Sequence, residues 1–207
     1  MSTLMVCSKS TKKYTKLYNY DELLIVKEPP NKETLKKKDL YHNVVAIGGG
    51  SVIDTAKILS MNSVIAIPTT YSGASETSHA VYWDNGMKYD IECIKPISVL
   101  RKEFINLPKH IEVATKIDCI SHIIESLISK NSTIDSDKYA LIAINFIKED
   151  KWLEASIYAG KAIDITGTNI IHAMSYSLTG VYELPHGVSL LKIFELAKHY
   201  KKLEELL

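Results

Sequence analysis

Asn43 to Lys57 reads NVVAIGGGSVIDTAK. The first five residues, Asn43–Ile47, form an apolar run with the look of a buried strand, and SVIDTAKILSM after the glycines has helical spacing. Between them stand Gly48, Gly49, Gly50 and Ser51. A strand–glycine–helix turn has a specific physical use. Without Cβ atoms the backbone turns tightly and lets a phosphate approach, while the helix N-terminus offers unpaired N–H groups and a positive dipole end. Ser51 would cap that helix or donate to a phosphate oxygen. The same residues would also serve as a plain tight turn with a serine cap. GGGSVID is not the G-x-G-x-x-G pattern, so the turn alone decides nothing.

The flanking sequence decides more. TLMVC, ELLIVKE, NVVAI and SVIAIPTT are short apolar runs with little alternation, separated by SKSTKKYTKLYN, by NKETLKKKDLYH (a helix capped by Asn31) and by the helix SVIDTAKILSM. Continuous apolar runs suit parallel strands covered on both faces. The first half is therefore expected to be β-α-β-α-β-α-β, an open doubly wound, Rossmann-like parallel sheet with right-handed crossovers. From Leu107 onward apolar residues recur at three-to-four spacing, as in PKHIEVATKIDCISHIIESLIS, KWLEASIYAGKAIDI and SLLKIFELAKHYKKLEELL. That second half is expected to be all helical. The boundary falls in LRKEFINLP, giving an α/β domain over 1–106 and a helical domain over 107–207. VYWDNGMKYD carries the Asn-Gly signal of a β-hairpin.

The second loop that bears on function is IPTTYSGASE, where another apolar run ends in Thr69, Thr70, Tyr71 and Ser72. Two hydroxyl-rich strand ends at one sheet edge favour a dinucleotide cradle, since open α/β sheets bind ligands beyond the carboxyl ends of their strands. In the helical half, Asp118 and His122 stand four apart in KIDCISHIIES and share a mostly apolar helix face. His172 opens HAMSYSLTG, and His186 sits between Pro185 and Gly187, at a turn or helix start. Each of these residues singly would pass as a core or capping residue. Together, one carboxylate and three imidazoles suit Fe(II) or Zn(II).

Composition narrows the remaining classes. The 207 residues are 46% hydrophobic with a formal net charge of +1, which gives no electrostatic footprint for nucleic acid or for a membrane surface. Cys7, Cys93 and Cys119 have no paired spacing, the N-terminus lacks a secretory pattern, and no apolar run approaches the ~18 residues of a membrane span. A reducing cytoplasm is the default expectation. His42, His79, His110 and His199 lack partners at ligand spacing and read as surface or capping residues, with His79 near enough to the second loop to meet a substrate.

On these motifs the chain resembles the iron-containing (group III) alcohol dehydrogenases, a family that includes maleylacetate reductases and is related to dehydroquinate synthase. AIGGGSVIDTAK looks like the family's first cofactor turn and IPTTYSGASE like its second loop in the maleylacetate reductase form. LPKHIEVATKIDCISHIIES and NIIHAMSYSLTGVYELPHGV resemble its two metal-binding segments. The resemblance spans roughly 43–191. It implies a dehydroquinate synthase-like fold, with Asp118, His122, His172 and His186 on the metal ligands. It also implies Gly49, Gly50, Ser51 and Asp54 on the pyrophosphate and nicotinamide side, Thr69 and Thr70 on the second loop, and Lys88 on a later cofactor lysine. The glycine turn comes about half as far in as the family places it, and the chain is expected to be a shortened member. Tyr176 stands where many members carry a proton-relaying histidine and is the candidate catalytic residue.

The implied activity is metal-dependent NAD(P) oxidoreduction of a small alcohol and its aldehyde or ketone, with Fe2+ or Zn2+, in a homodimer. Ser8, Lys9 and Ser10 replace the acid that would hold a ribose 2′-hydroxyl, which favours NADP over NAD. Two alternatives remain open: a dehydroquinate synthase-like lyase, and a relative that binds nucleotide or metal without turnover.

Overall fold

The computed structural model describes residues 2–182 and 184–197. Five strands form one parallel sheet: β1 (Thr3–Ser8), β2 (Glu22–Val26), β3 (Tyr41–Gly48), β4 (Ser60–Pro68) and β7 (Ile97–Ser98). Their spatial order is β2-β1-β3-β4-β7, and every neighbouring pair is parallel. The expected doubly wound sheet is present, and its strand order reverses direction between β1 and β3. A hairpin, β5 (His79–Asp84) and β6 (Met87–Glu92), is inserted before β7, with Asn85 and Gly86 at positive φ in its turn.

The continuous apolar runs are explained by burial on both faces. Leu4, Val6, Val44, Ala46, Val64 and Ala66 pack against Val52, Ile53, Ala56 and Leu59 of helix α2 (Gly50–Leu59). Met5, Ile47 and Ile67 point the other way, onto Phe104 with Tyr14 and Tyr18 around them. Two expected helices of this half are much reduced. Lys12–Leu17 is a six-residue 3-10 helix whose only buried residue is Thr15, and α1 (Lys32–Leu35) has four residues and buries none. Neither segment carries an apolar stripe wide enough to hold a longer helix on the sheet. The Asn31 cap does form, with its side chain accepting from the N–H groups of Glu33 and Thr34.

The helical half consists of α3 (Lys109–Ile128), α4 (Ile134–Lys148), α5 (Trp152–Thr166), α6 (Ile170–Gly180) and α7 (His186–Ala197). Small residues let α3, α4 and α5 approach closely around Cys119, Ile123, Ala140, Ala143, Ala155, Ala159 and Ala162. His199 and the expected continuation of the last helix to 207 lie outside the described residues. No helix among the described residues is long and apolar enough to cross a membrane.

Close backbone approach locks the two halves together. A Cβ on Gly160 of α5 would stand 2.5 Å from the Gly73 carbonyl oxygen, and one on Gly180 of α6 would stand 1.9 Å from that of Gly86 in the hairpin turn. Asp164 of α5 accepts hydrogen bonds from the N–H and hydroxyl of Ser78 at 2.7 and 2.9 Å and pairs with Lys95 at 2.8 Å.

Candidate metal centre and nucleotide groove

The register of the sheet sets three strand ends side by side. Cys7 pairs with Ile47 and Gly48 with Pro68, so Ser8, the glycine turn and Thr69 share one carboxyl edge, at the point where the strand order reverses. Open α/β sheets bind ligands at such a switch point. One hydroxyl and one backbone amide stitch the edge: Thr11 Oγ1 donates to the Ile47 carbonyl at 2.6 Å, and the Thr69 N–H donates to the Gly48 carbonyl at 3.0 Å. Ser8 Oγ lies 2.9 Å from both Ser10 Oγ and Thr11 Oγ1. Thr69, Ser10, Thr11, Lys13 and Asn106 line a cavity of about 50 Å3 beside the edge.

The three glycines have separate reasons. A Cβ on Gly48 would meet the Val52 side chain at 2.6 Å, and one on Gly49 would meet Thr70 Cγ2 at 2.8 Å. Gly49 therefore keeps the two expected cofactor loops in contact. A Cβ on Gly50 would meet only ordinary contacts with Ser72 and Ala74, so its absence leaves space in the groove. The expected Ser51 cap does not form: Gly49 is the N-cap, its carbonyl accepts from Val52 and Ile53, and exposed Ser51 lies in the first turn. The chain needs contact with Thr70 at position 49 more than a side-chain cap.

Asp54 faces inward from α2 and is held by Lys57. The Lys57 side chain is fully buried, with Nζ 2.8 Å from Thr77 Oγ1, 2.7 Å from the His79 carbonyl and 3.3 Å from Asp54 Oδ1. Burial raises the Asp54 pKa, partly offset by Lys57 and by Lys88. Lys88, on β6, lies with Nζ 4.1 Å from the Tyr176 ring centre. The Tyr176 hydroxyl is 3.2 Å from Thr168 Oγ1. His79 pairs with Asp90 at 2.8 Å, and His42 Nδ1 lies 3.0 Å from the Asn62 side chain.

The four residues read as ligands meet at one point. His172 Nε2 lies 3.3 Å, His122 Nε2 3.6 Å and His186 Nε2 3.7 Å from the same oxygen, Asp118 Oδ1. Among the described residues, Asp118, His172 and His186 form a group whose ligand atoms all lie within 4.8 Å of one another; His122 falls outside it and joins through its 3.6 Å contact with Asp118. The His122 and His172 rings stack at 4.8 Å. Asp118 and His122 come from adjacent turns of α3, His172 from α6 and His186 from the first turn of α7. Gly187 makes that last placement possible, because a Cβ there would stand 2.5 Å from Ala114 of α3.

Burial pushes His122 and His186 down to about 4, so both present neutral imidazoles near neutral pH. Burial opposes the Asp118 charge, but the surrounding imidazoles outweigh it and hold the carboxyl well below the usual carboxylate range. The donor set fits a divalent cation. Several lone-pair atoms converge on one carboxylate oxygen, and a tetrahedral ion with bonds of about 2.1 Å spaces its donors by about 3.4 Å. His122 Nδ1 is buried without a hydrogen-bond partner among the described residues.

Sequence reasoning missed Glu125. It is fully buried, and it accepts from the N–H groups of Ile171 (2.6 Å) and His172 (3.1 Å) and from His172 Nδ1 (2.5 Å). Its spacing was the available signal, because Asp118, His122 and Glu125 fall at i, i+4 and i+7 on one face of α3.

Comparison with known proteins fits this arrangement. Residues 22–102 match the family model for iron-containing alcohol dehydrogenase, and residues 145–202 match that for the C-terminal part of the Fe-containing alcohol dehydrogenase family. The chain belongs to the iron-containing alcohol dehydrogenase family. It is 30% identical over 195 residues to the NAD-dependent methanol dehydrogenase of Bacillus methanolicus, covering 73% of this chain and 51% of that protein. It is 28% identical over 191 residues to the 4-hydroxybutyrate dehydrogenase of Clostridium kluyveri, covering 71% and 51%. The chain thus spans about half the length of the curated relatives it matches. Among solved structures, an iron-containing alcohol dehydrogenase from Thermotoga maritima superposes with a TM-score of 0.80 at 24% identity, covering 92% of this chain and 69% of that one. The maleylacetate reductase of Agrobacterium tumefaciens superposes at 0.78 with 19% identity, covering 92% and 65%. These likenesses give the two-part fold that the sequence implied.

Proposed function

We propose that this chain carries out metal-dependent, NAD(P)-linked interconversion of a small alcohol and its aldehyde or ketone, at a cleft between an α/β domain (1–106) and a helical domain (107–207). The observation that carries this reading is the convergence of His122, His172 and His186 on Asp118 Oδ1. Asp118, His122, His172 and His186 would hold Fe2+ or Zn2+. A bound ion supplies Lewis acidity toward a substrate oxygen, and a bound nicotinamide supplies or accepts the hydride.

The chain's own residues do the positioning. Gly49, Gly50, Ser51, Thr69 and Thr70 cradle the pyrophosphate and its flanking ribose, with the α2 N-terminus supplying N–H donors. Asp54 and Lys88 lie toward the nicotinamide end, where Lys88 contributes positive potential that His122 and His186 also feel. The Tyr176 hydroxyl relays a proton toward solvent through Thr168, 3.2 Å away. Ser8, Lys9 and Ser10 close the β1 edge without an acid, which suits a 2′-phosphate and hence NADP.

The test is NADPH and NADH oxidation by metal-loaded protein against a panel of aldehydes and ketones, with His122→Ala alongside. The reading requires net cofactor consumption by the wild type. It also requires loss of both turnover and bound metal in a variant whose circular dichroism is unchanged. Bound cofactor without net consumption, or undiminished activity in His122→Ala, would contradict it.

A further inference from the structure

We infer that Glu125 is a positioning residue for the metal centre: it selects the tautomer of His172 that leaves Nε2 free to ligate. The inference rests on the metal-dependent reading above and adds to it a residue outside the ligand set.

The geometry is specific. Glu125 sits on α3, seven residues after Asp118, with none of its surface exposed. Oε1 accepts from the first-turn N–H groups of Ile171 and His172 on α6. The N-cap of that helix, Asn169, supplies no side-chain bond, so Glu125 takes over the capping role from a different helix. Oε2 lies 2.5 Å from His172 Nδ1. A carboxylate only accepts, so Nδ1 carries the proton and donates it. The other ring nitrogen, Nε2, faces Asp118 Oδ1 at 3.3 Å; with Nδ1 committed to Glu125, Nε2 is the nitrogen whose lone pair the neutral ring offers to an ion entering between it and Asp118. Which ring nitrogen ligates is set by the bond the other one makes.

Glu125→Gln separates positioning from folding. The amide oxygen can keep both backbone bonds at the α6 N-terminus. The amide NH2, replacing Oε2, presents a donor to Nδ1. His172 must then accept there and carry its proton on Nε2, facing the ion. The carboxylate partner of a ligating histidine typically changes metal affinity by about 10–100-fold when mutated.

Two measurements test this. In the first, Zn2+ is titrated against a chromophoric chelator with wild type and Glu125→Gln, and circular dichroism and thermal melting are recorded alongside. The expected result is affinity at least about tenfold weaker with the helix signal retained; affinity within twofold of wild type would overturn the inference. The second is a long-range proton–nitrogen correlation spectrum of metal-free wild type in alkaline buffer. It should show His172 protonated at Nδ1 and bare at Nε2, and the reverse tautomer would overturn the inference even if the variant fails to fold. If wild type binds no metal, the proposed function falls, while the tautomer of His172 remains readable on its own.

Discussion

Replacing Lys57 with methionine removes the one cation hydrogen-bonded to Asp54 among the described residues. The Lys57 side chain has no exposed surface, and its Nζ satisfies the Asp54 carboxylate, the Thr77 hydroxyl and the His79 carbonyl at once. Methionine fills nearly the same volume, so the cost is electrostatic rather than a cavity. It leaves Asp54, mostly buried, without its hydrogen-bonded counter-charge and with only Lys88 and the Val81 N–H to offset it, and leaves the His79 carbonyl with the Thr77 hydroxyl, at 3.1 Å, as its remaining side-chain donor. Breaking a buried pair from one side costs about 3–5 kcal/mol. At about 2–4 °C per kcal/mol for a chain of this size, the melting point should fall by roughly 6–20 °C. Urea denaturation followed by circular dichroism measures the loss directly. Adding Asp54→Asn should restore part of it, because the double variant no longer buries an unpaired carboxylate. A Lys57→Met loss below about 1 kcal/mol, the level of an exposed ion pair, or a double variant worse than the sum of the singles, would refute this account of the Asp54–Lys57 pair.

Three further outcomes follow from particular contacts. Gly180→Ala should displace the hairpin tip, because its Cβ would stand 1.9 Å from the Gly86 carbonyl oxygen; faster proteolytic cleavage between 84 and 88 would report it. Gly49→Val should weaken NADPH binding about tenfold or more by driving Thr70 out of contact, since a Cβ already falls 2.8 Å from Thr70 Cγ2, whereas Gly50→Ala should cost less; fluorescence titration compares them. Burial would raise the Asp164 pKa, but Lys95 and the Ser78 donors outweigh it and lower the folded value below the unfolded one. The carboxylate's contribution is therefore full above the unfolded value of about 3.9 and fades as pH falls through the lower folded value. The stability gap between wild type and Asp164→Asn, about 1–3 kcal/mol at neutral pH, should narrow on acidification below about pH 4.

The parts of this molecule legible in its sequence are those governed by short-range pattern. The apolar runs that begin at Asn43 and Ser63 gave parallel strands because burial on both faces removes alternation, and Asn85–Gly86 gave the hairpin because its turn needs two positive φ values. The convergence of Asp118, His122, His172 and His186 was legible from residue chemistry and from the family motifs. Other features depend on tertiary contacts with no local signature. Thr15 as the lone buried residue of its segment, the contact of Gly49 with Thr70, and the triple role of buried Lys57 all belong to this group. Glu125 falls between the two: its helical spacing was visible, but the N-terminus it caps arrives from a helix some 45 residues later.

The central claim is that one divalent ion sits among the four side chains. Anomalous diffraction from crystals of the metal-free protein soaked in Zn2+ tests it most directly. The account predicts a single strong peak bonded to Asp118 and to the Nε2 atoms of His122, His172 and His186 at about 2.0–2.2 Å. No peak among these residues, or a peak held by other groups, would contradict it.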